Sequence, residues 1–535
     1  MMKFTKILAL LLAICLLFGC TGCDMFGMEL FAPSETTLDS NASSAPDTLD
    51  TSATSQPDEI ETSTTAEPDE PETSTTAPDE PGVETSSSTE EPGTTLPTPP
   101  EGNEPDDFSP INVIMINDNH GVLDEEDGGI DKIATGISYY ASLGNIVKIA
   151  NGDMFQGTYI SSTLRGLPML DVLNELDFDA FVIGNHEFDW GLDEIQKYKD
   201  GDLSNGEAEF PFLGANIYDT RTGERVEWID PYTVVTFGEI KIGIIGIIGD
   251  VETSILVTHV ENYDFVDPRN IVKDLAKELR TTEECDVVIV AIHGDDDSLN
   301  ADIAKYTGNS KIDAIFTAHS HIPTDEEIRR ASGNVCVLQN GGYGDSFAAL
   351  TLTFDENGNL KDTDGVLIDG DRFADTGILN AVFGKYEEYM AIGETVLLTV
   401  PNDISKYDVG ISVAQSMYVK YNVDFAVINK GGVRTSIDAG EVTYAEVFQV
   451  LPFENEVYIV TLSGKLLKSY LNSGTSIYYW GISKNSIVDN QYYQIAIIDY
   501  VYVGYTFDDY RNESCIDTND LVRDVFIEFL QTNSN

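Results

Sequence analysis

The chain has 535 residues, of which 92 are acidic and 30 are basic, giving a formal net charge of −62. This length leaves room for a targeting segment, a linker and two or more domains. Such a negative surface repels nucleic-acid backbones and anionic lipid headgroups, so we expect no nucleic-acid partner. A small anionic substrate would need a local positive site, and metal ions can supply one.

The N-terminus combines two early lysines with an apolar run over residues 7–18. This arrangement is typical of a secretion signal, and the run is shorter than the roughly 20 residues of a transmembrane helix. It ends in Leu-Phe-Gly-Cys, which resembles a bacterial lipobox, and this predicts a signal peptide over residues 1–19 and lipidation of Cys20. Cys23 is a second candidate, and an ordinary cleaved signal is the alternative. The anchor would place the protein on the outer face of a bacterial cell membrane.

Residues 20–107 consist mainly of Ser, Thr, Pro, Glu and Asp, and the chain has no lysine or arginine between Lys6 and Lys132. A segment of this composition cannot bury a core and repels itself. We therefore predict a disordered tether that holds the folded part away from the membrane.

Short apolar runs, many rich in Ile and Val, begin at residue 111 and end in polar or glycine residues. They occupy residues 111–116, 146–150, 180–183, 242–248, 287–292, 314–318 and 335–338. Amphipathic stretches such as residues 269–279 lie between some of them. This alternation predicts a layered α/β domain over residues 108–370.

A connector over residues 371–394 follows, with a helical pattern at residues 378–391. A second, smaller α/β domain is predicted from residue 395 to residue 535. It should contain helices at residues 410–421 and 465–471 and a strand at residues 426–429. The remaining cysteines are sparse, and we expect Cys285 and Cys336 to be buried thiols.

The chain has only six histidines, and five of them lie at or just past the ends of the apolar runs. Aspartates and an asparagine accompany them. These clustered residues are Asp118, His120, Asp153, Asn185, His186, His293, His319 and His321. In open α/β sheets, functional sites form in the loops at the carboxyl ends of the strands. The sixth histidine, His259, matches no motif and is expected to be structural or exposed.

The residue types in this cluster suit zinc, manganese or iron. Asp118 and His120 are two residues apart, so both can reach one ion, and His319 and His321 have the same spacing. Asp153 has two carboxylate oxygens and could bridge two ions about 3.5–4 Å apart. Each residue taken singly could instead be an ordinary turn or hydrogen-bonding residue. Their order and spacing together favour a site for two divalent metal ions.

The order D-x-H, G-D, G-N-H-E, H and H-x-H over residues 111–322 resembles the calcineurin-like metallophosphoesterases. This resemblance implies a four-layer β-sandwich flanked by helices. It implies one metal held by Asp118, His120, Asp153 and His321, and a second held by Asp153, Asn185, His293 and His319. His186 would be the catalytic histidine, oriented by Asp189. Ala318 departs from the pattern, which usually has glycine there.

The second domain contains Asn429-Lys-Gly431-Gly-Val-Arg434, followed by Leu-Pro-Phe453-Glu-Asn. Glycines allow a ligand to approach the backbone, and arginine offers a planar fork for phosphate. The two motifs resemble the C-terminal domain of the secreted 5'-nucleotidases. By that resemblance Asn429, Gly431 and Arg434 bind the nucleotide, and the Phe453 ring stacks on the base. Core packing is the alternative for Phe453.

Two features of that family are missing. A further arginine near an E-S-x-x-G-N segment is absent, and Lys406 could replace it as a point charge. The late G-G-D-x-[FY] motif is also absent, and Tyr505 or Phe507 could supply the second stacking ring.

The resemblance implies an extracellular hydrolase that removes phosphate from nucleotides with a water molecule activated by two metal ions. Hydrolysis of 2',3'-cyclic nucleotides or UDP-sugars at the same site is an alternative. A surface binding lipoprotein with a vestigial site is a further alternative from a different class.

Overall fold

The computed structural model describes residues 109–123, 129–330, 333–504, 507 and 514–533. The predicted signal peptide and tether, Cys20, Cys23 and Tyr505 lie outside the described residues. The predictions that concern them are therefore untested by the structure.

Strands and helices alternate along most of the described chain. The strands are β1 (Ile111–Ile116), β2 (Asn145–Ala150), β3 (Ala180–Val182), β4 (Phe212–Leu213), β5 (Ile217–Asp219), β6 (Glu224–Arg225), β7 (Tyr232–Phe237), β8 (Ile240–Ile248), β9 (Tyr263–Phe265), β10 (Val287–His293), β11 (Ala314–Phe316), β12 (Thr324–Ile328), β13 (Val335–Gln339), β14 (Ser346–Phe354), β15 (Leu360–Asp369), β16 (Val396–Val400), β17 (Phe425–Asn429), β18 (Gly440–Thr443), β19 (Glu456–Ser463), β20 (Ile477–Gly481), β21 (Tyr492–Ile498) and β22 (Cys515–Leu521). The helices are α1 (Ile130–Leu143), α2 (Tyr159–Thr163), α3 (Leu167–Glu175), α4 (Leu192–Gln196), α5 (Val257–Val260), α6 (Pro268–Thr281), α7 (Asp297–Ala304), α8 (Asn380–Phe383), α9 (Glu387–Gly393), α10 (Lys406–Tyr421), α11 (Tyr444–Val450), α12 (Gly464–Leu471), α13 (Asp499–Val503) and α14 (Val522–Asn533).

Two six-stranded sheets form the first part of the chain. Their strand orders are β15-β14-β1-β2-β3-β4 and β12-β13-β11-β10-β8-β7. The neighbours from β1 to β4 are parallel, as are β8, β10, β11 and β13 in the second sheet. Parallel strands buried on both faces read as continuous apolar runs, which is why the Ile- and Val-rich segments form them.

The two sheets pack face to face, and helices cover their outer faces. One buried layer joins the inward side chains of both sheets, including Val113 and Ile289. A second layer packs the outer face of the first sheet against α1 and α3. A third packs the second sheet against α6 and α7, with Val272 and Leu279 fully buried. The result is the predicted four-layer sandwich with helices on the outside.

Helix α6 shows how the sequence fixes one of these covering elements. Pro268 stands in its first turn, where no intrahelical N–H is needed, and the Asp267 side chain accepts from the backbone N–H of Arg269. Its apolar residues recur on one face, and that face is buried against the sheet.

The remaining sheets are smaller. A five-stranded sheet has the order β20-β17-β21-β19-β22, and β16 pairs with β18. Helices α10 to α14 share a separate apolar core with these strands. A three-stranded sheet, β6-β5-β9, lies within the first part of the chain.

The predicted strands and helices are confirmed, with ends shifted by a few residues. The connector contains two short helices, α8 and α9, rather than one. Cys285 and Cys336 are buried free thiols, as predicted. Among the described residues, no helix combines the length and apolar character needed to span a membrane.

Candidate metal centre and substrate cavity

The predicted metal ligands lie in loops after β1, β2 and β3 of one sheet and at or after the ends of β10 and β11 of the other. Five of the seven have positive φ values between 49° and 81°, namely Asp118, His120, Asp153, His319 and His321. This left-handed conformation costs a non-glycine residue roughly 1–3 kcal/mol, so the surrounding structure must hold it in place. Strain concentrated in this way marks a functional site.

Backbone hydrogen bonds lock the first two loops together. The N–H groups of Asp118 and His120 donate to the carbonyl oxygens of Gly152 and Asp153 at 3.0 and 2.9 Å. Gly152 itself has φ of 82°. A Cβ atom at this position would lie 2.3 Å from Nδ1 of His293, so only glycine fits.

Asp118, His120 and His321 form the first candidate metal-binding group. The Nε2 atoms of the two histidines are 3.1 Å apart, and Nε2 of His321 lies 3.5 Å from Oδ1 of Asp118. Nδ1 of His120 lies 3.0 Å from the Gln156 carbonyl oxygen. A carbonyl only accepts, so this nitrogen carries the proton and Nε2 turns a lone pair toward the site.

Asp153, His293 and His319 form the second group. Nε2 of His293 lies 3.2 Å from Oδ2 of Asp153 and 3.1 Å from Oδ1 of Asn185. Nδ1 of His293 lies 2.9 Å from the carbonyl oxygen of Asn151, which fixes this ring as Gln156 fixes His120. The structure thus brings all seven predicted ligands into two adjacent groups.

The electrostatics of the two groups fit divalent cations. Burial opposes ionisation, yet the neighbouring imidazoles hold the pKa of Asp153 well below its usual range. Burial alone would lower the pKa of His293, but the Asp153 carboxylate raises it to about 10. Within the described residues, Oδ1 of Asp118 and Nδ1 of His319 have no hydrogen-bond partner although both are buried. Buried atoms of this kind need a partner, and a cation satisfies them.

Glu187 connects the metal-ligand loops, although in the sequence only its place in the G-N-H-E motif distinguishes it. Its carboxylate accepts hydrogen bonds from the backbone N–H groups of Asp153, Met154 and Gly184 at 2.9, 3.1 and 2.8 Å. Burial and the Asp153 carboxylate raise the pKa of Glu187 to about 7. Glu187 therefore ties the loop after β2 to the loop after β3.

His186 lies beside the second group and is held by Asp189. Its Nδ1 is 2.7 Å from Oδ2 of Asp189, and its Nε2 is 3.9 Å from Oδ2 of Asp153. Burial lowers the pKa of His186, but the two carboxylates together raise it above its ordinary value. This geometry leaves Nε2 directed at the metal groups, as expected for a residue that handles charge or protons there.

A cavity of about 620 Å³ opens on these residues and is lined by both parts of the chain. The first part contributes His186, His319 and His321, among others. The second part contributes the predicted substrate residues Asn429, Gly431, Arg434 and Phe453.

Arg434 and Phe453 lie close to the metal groups. The Arg434 guanidinium carbon is 5.9 Å from the Phe453 ring centroid, and Nη2 donates to the Tyr343 hydroxyl oxygen at 3.4 Å. The Phe453 ring stacks on His186 with 5.7 Å between centroids. Burial and then the charges of His186 and Arg434 hold the pKa of His120 well below its usual range. The Arg434 charge therefore acts directly on the metal site.

Two other predicted substrate residues are placed differently. Phe507 is 1% exposed and packs edge-to-face on Tyr470 in the core, so in this structure its ring does not line the cavity. Burial and the Arg434 charge lower the pKa of Lys406, but its side chain does not line the cavity either. An aromatic side chain is supplied at the cavity wall by Tyr500 instead, whose hydroxyl donates to the Thr253 carbonyl oxygen at 2.7 Å.

Sequence reasoning missed several cavity residues. Arg165 lies over the Trp190 ring at 5.4 Å and pairs with Glu454 at 3.1 Å. His259, expected to be structural or exposed, lines the cavity as well. Tyr343 contacts Arg434 without lining the cavity, and it could have been found from its setting, because it lies among three glycines just after an apolar run.

Residues 111–323 match the family model of calcineurin-like phosphoesterases, and residues 398–503 match that of the 5'-nucleotidase C-terminal domain. A 5'-nucleotidase of Vibrio vulnificus is 28% identical over 68% of this chain and 75% of its own length. Endonuclease YhcR of Bacillus subtilis is 24% identical over 70% of this chain, which spans only 33% of that protein. The crystal structure of the 5'-nucleotidase precursor from Thermus thermophilus superposes with a TM-score of 0.68 at 21% identity, covering 79% of this chain and 96% of that one.

The fold, the two ligand groups and the first family match define a metallophosphoesterase, a class of enzymes that uses divalent metals. The second domain narrows this class. The chain belongs to the 5'-nucleotidase family of calcineurin-like phosphoesterases and is a hydrolase.

Proposed function

We propose that the protein removes phosphate from nucleotides outside the cell. The observation that carries this proposal is the position of Arg434. A guanidinium group from the second domain lies in one cavity with both metal-binding groups, beside the Phe453 ring. Arginine suits phosphate, and an aromatic ring suits a base of any identity.

The proposed roles of the side chains combine the family resemblance with the positions of the residues in the two groups. Asp118, His120, Asp153 and His321 would hold one ion, and Asp153, Asn185, His293 and His319 the other. Such ions, when bound, supply a nucleophile at neutral pH and neutralise phosphate charge. Zinc and manganese both suit these ligands.

His186 acts on the substrate in this proposal. Asp189 holds its Nδ1, so a proton on Nε2 faces the phosphate and can stabilise the growing charge or pass to the leaving oxygen. Arg434, which lies beside the same Phe453 ring as His186, would bind phosphate oxygens. Asn429 and Gly431 line the same wall and would contact the nucleotide.

We further propose the predicted organisation of the whole chain. It comprises a signal peptide over residues 1–19, lipidation at Cys20, an acidic tether to residue 107, domains over 108–370 and 395–535, and a connector that lets them move. The anchor would be the sole membrane contact, so the substrates would be extracellular nucleotides. Labelling of cells with a lipid precursor should mark the protein, and the Cys20→Ala variant should lose that label.

The activity is tested with the purified chain loaded with manganese or zinc. Phosphate release would be measured from AMP, UDP-glucose and a 2',3'-cyclic nucleotide, with bis-p-nitrophenyl phosphate as a general phosphoester. We expect AMP to be the best of the four. Absence of turnover on every nucleotide, with metal shown to be bound, would eliminate the proposal.

The same assay separates the other readings. Preference for the cyclic nucleotide or for UDP-glucose would assign that activity instead. Because one relative is named an endonuclease, a single-stranded DNA oligonucleotide belongs in the panel. The net charge of −62 leads us to expect no cleavage of it. A vestigial site would bind metal and nucleotide but turn over none of the substrates.

A further inference from the structure

Tyr343 occupies the space between the metal-ligand loops and the second domain. It belongs to the loop between β13 and β14 and has φ of 52°. Its backbone N–H donates to the carbonyl oxygen of Asp118 at 2.8 Å. A Cβ atom at Gly342 would lie 3.1 Å from that same oxygen, so the loop packs directly on the metal-ligand turn.

The Tyr343 side chain contacts two of the candidate metal-binding histidines and Arg434. Its ring centroid lies 5.1 Å from that of His120 and 4.9 Å from that of His321. Its hydroxyl oxygen accepts from Arg434 at 3.4 Å. The residue is 38% exposed, so the demands of core packing do not account for its strained backbone.

Arg434 has little else to orient it. Within the described residues its guanidinium forms no ion pair, and the Phe453 ring lies 5.9 Å from its central carbon. Burial and the Arg434 charge lower the pKa of Lys406, so this neighbouring cation repels the guanidinium and does not hold it. An unpaired guanidinium near two cation sites is repelled by them unless an anion lies between. Its orientation before substrate binds therefore depends on the neutral hydroxyl of Tyr343, which accepts a hydrogen bond without neutralising the charge.

We propose that Tyr343 is a positioning residue that holds the Arg434 guanidinium ready for the substrate phosphate, while its ring shields His120 and His321 from solvent. This inference rests on the proposed function, since it assigns phosphate binding to Arg434. It predicts separate effects for the hydroxyl and for the ring, because only the hydroxyl reaches the arginine.

The hydroxyl is tested with Tyr343→Phe, which keeps the ring. The KM for AMP and the inhibition constant of inorganic phosphate should rise together by about tenfold, the usual worth of a hydrogen bond to a charged group. The kcat value and the metal content should not change. Tyr492→Phe is the matched control, because Tyr492 is 61% exposed and does not line the cavity.

A double-mutant cycle shows whether the effect passes through Arg434. Arg434→Gln should weaken phosphate binding strongly, and adding Tyr343→Phe should weaken it no further. Additive losses, or an unchanged phosphate constant in Tyr343→Phe, would overturn the proposal. A purely structural role would lower stability or kcat without this coupling.

The shielding role of the Tyr343 ring is tested by metal binding, in a measurement that does not depend on enzyme turnover. Tyr343→Ala should weaken manganese binding in a calorimetric titration, whereas Tyr343→Phe should not. Equal manganese affinity in both variants would remove the shielding role. If the enzyme cleaves bis-p-nitrophenyl phosphate but no nucleotide, the proposed function fails. Phosphate inhibition of that reaction would still test the Tyr343–Arg434 contact.

Discussion

The two walls of the cavity are built in different ways. The metal wall consists of the two metal-binding groups and Asn185. Its residues Asp118, Asn185 and His293 are fully buried and lie at or just after the ends of buried strands. Partners from the same domain fix each of these side chains. On the substrate wall, Arg434 and Phe453 are half-buried loop residues, and two residues from the first part of the chain, Tyr343 and His186, contact them. In the proposed function, the chemistry is therefore preorganised within the first part of the chain, whereas recognition of the nucleotide uses contacts between the first and second parts.

If the metal wall is preorganised for two ions, Asp153→Asn should cause the largest loss. The amide keeps the shape but removes the charge that both ions would share in the proposed function, so activity should fall by about a thousandfold or more. Metal content and phosphate release would be measured on the same preparation.

The control for that prediction is Asp295→Asn. Asp295 lies two residues from His293 but is exposed and belongs to neither group. It should retain activity. Full activity of Asp153→Asn at saturating metal would contradict the shared-ligand role and weaken the contrast between the walls.

A substitution at His186 tests the chemical step separately from metal binding on the same wall. His186→Ala should lower kcat by about 10²- to 10⁴-fold, the range for a lost general acid or base, while metal content stays the same. Asp189→Asn should cause a smaller loss, because it removes the partner of Nδ1 and not the ring. Loss of metal from His186→Ala would mean that His186 is a ligand.

Glu187→Gln tests how far preorganisation extends behind the ligands. Glutamine has one side-chain acceptor oxygen. Its NH₂ group would therefore face a backbone N–H that now donates to the carboxylate, and two donors cannot form a hydrogen bond with each other. Metal affinity should fall by about 10- to 100-fold, as for other residues that support ligands. Metal titration and thermal unfolding would measure this, with the exposed Glu209→Gln as control. Unchanged affinity would show that the loops are rigid without Glu187.

The metal wall could be predicted from the sequence for a physical reason. Buried parallel strands appear in the sequence as continuous apolar runs with clear ends, and most of the few histidines lie at those ends. The positions of Asp153 and His321 in space then follow from strand order alone. The left-handed backbone of these residues could not be predicted, because aspartate and histidine give no local signal for it as glycine does.

On the substrate wall, only residues that belong to a recognisable sequence motif could be predicted. Asn429 and Arg434 are predicted from the resemblance of their motif to a known family, but the contact of Tyr343 with Arg434 joins residues 91 positions apart that belong to different sheets and cores. Phe507 illustrates the same limit. Its sequence neighbourhood suggested a stacking ring, yet the apolar core around Tyr470 takes it. Whether an aromatic side chain lies in the core or lines the cavity depends on the packing of the whole second part of the chain.

The smallest effect we predict concerns Asp499, on the substrate wall. Its Oδ1 atom accepts from Asn455 Nδ2 at 2.8 Å and from the Tyr500 N–H at 2.6 Å. Burial raises the pKa of Asp499 to about 6. As the pH falls through this value the carboxylate gains a proton, and its hold on the Asn455 amide at the cavity wall weakens. The KM for AMP should therefore rise severalfold below pH 6, beyond any effect of acid on the metal ligands.

Asp499→Asn separates these two contributions, because asparagine does not titrate. At pH 7.5 this variant should already show the raised KM of the acidic wild type, with kcat unchanged. On lowering the pH, its KM should then change only as far as the metal ligands dictate. An identical pH profile of KM in both proteins would show that Asp499 does not set substrate affinity. In that case the substrate wall would be as rigid as the metal wall, and the contrast between them would lie only in their partners.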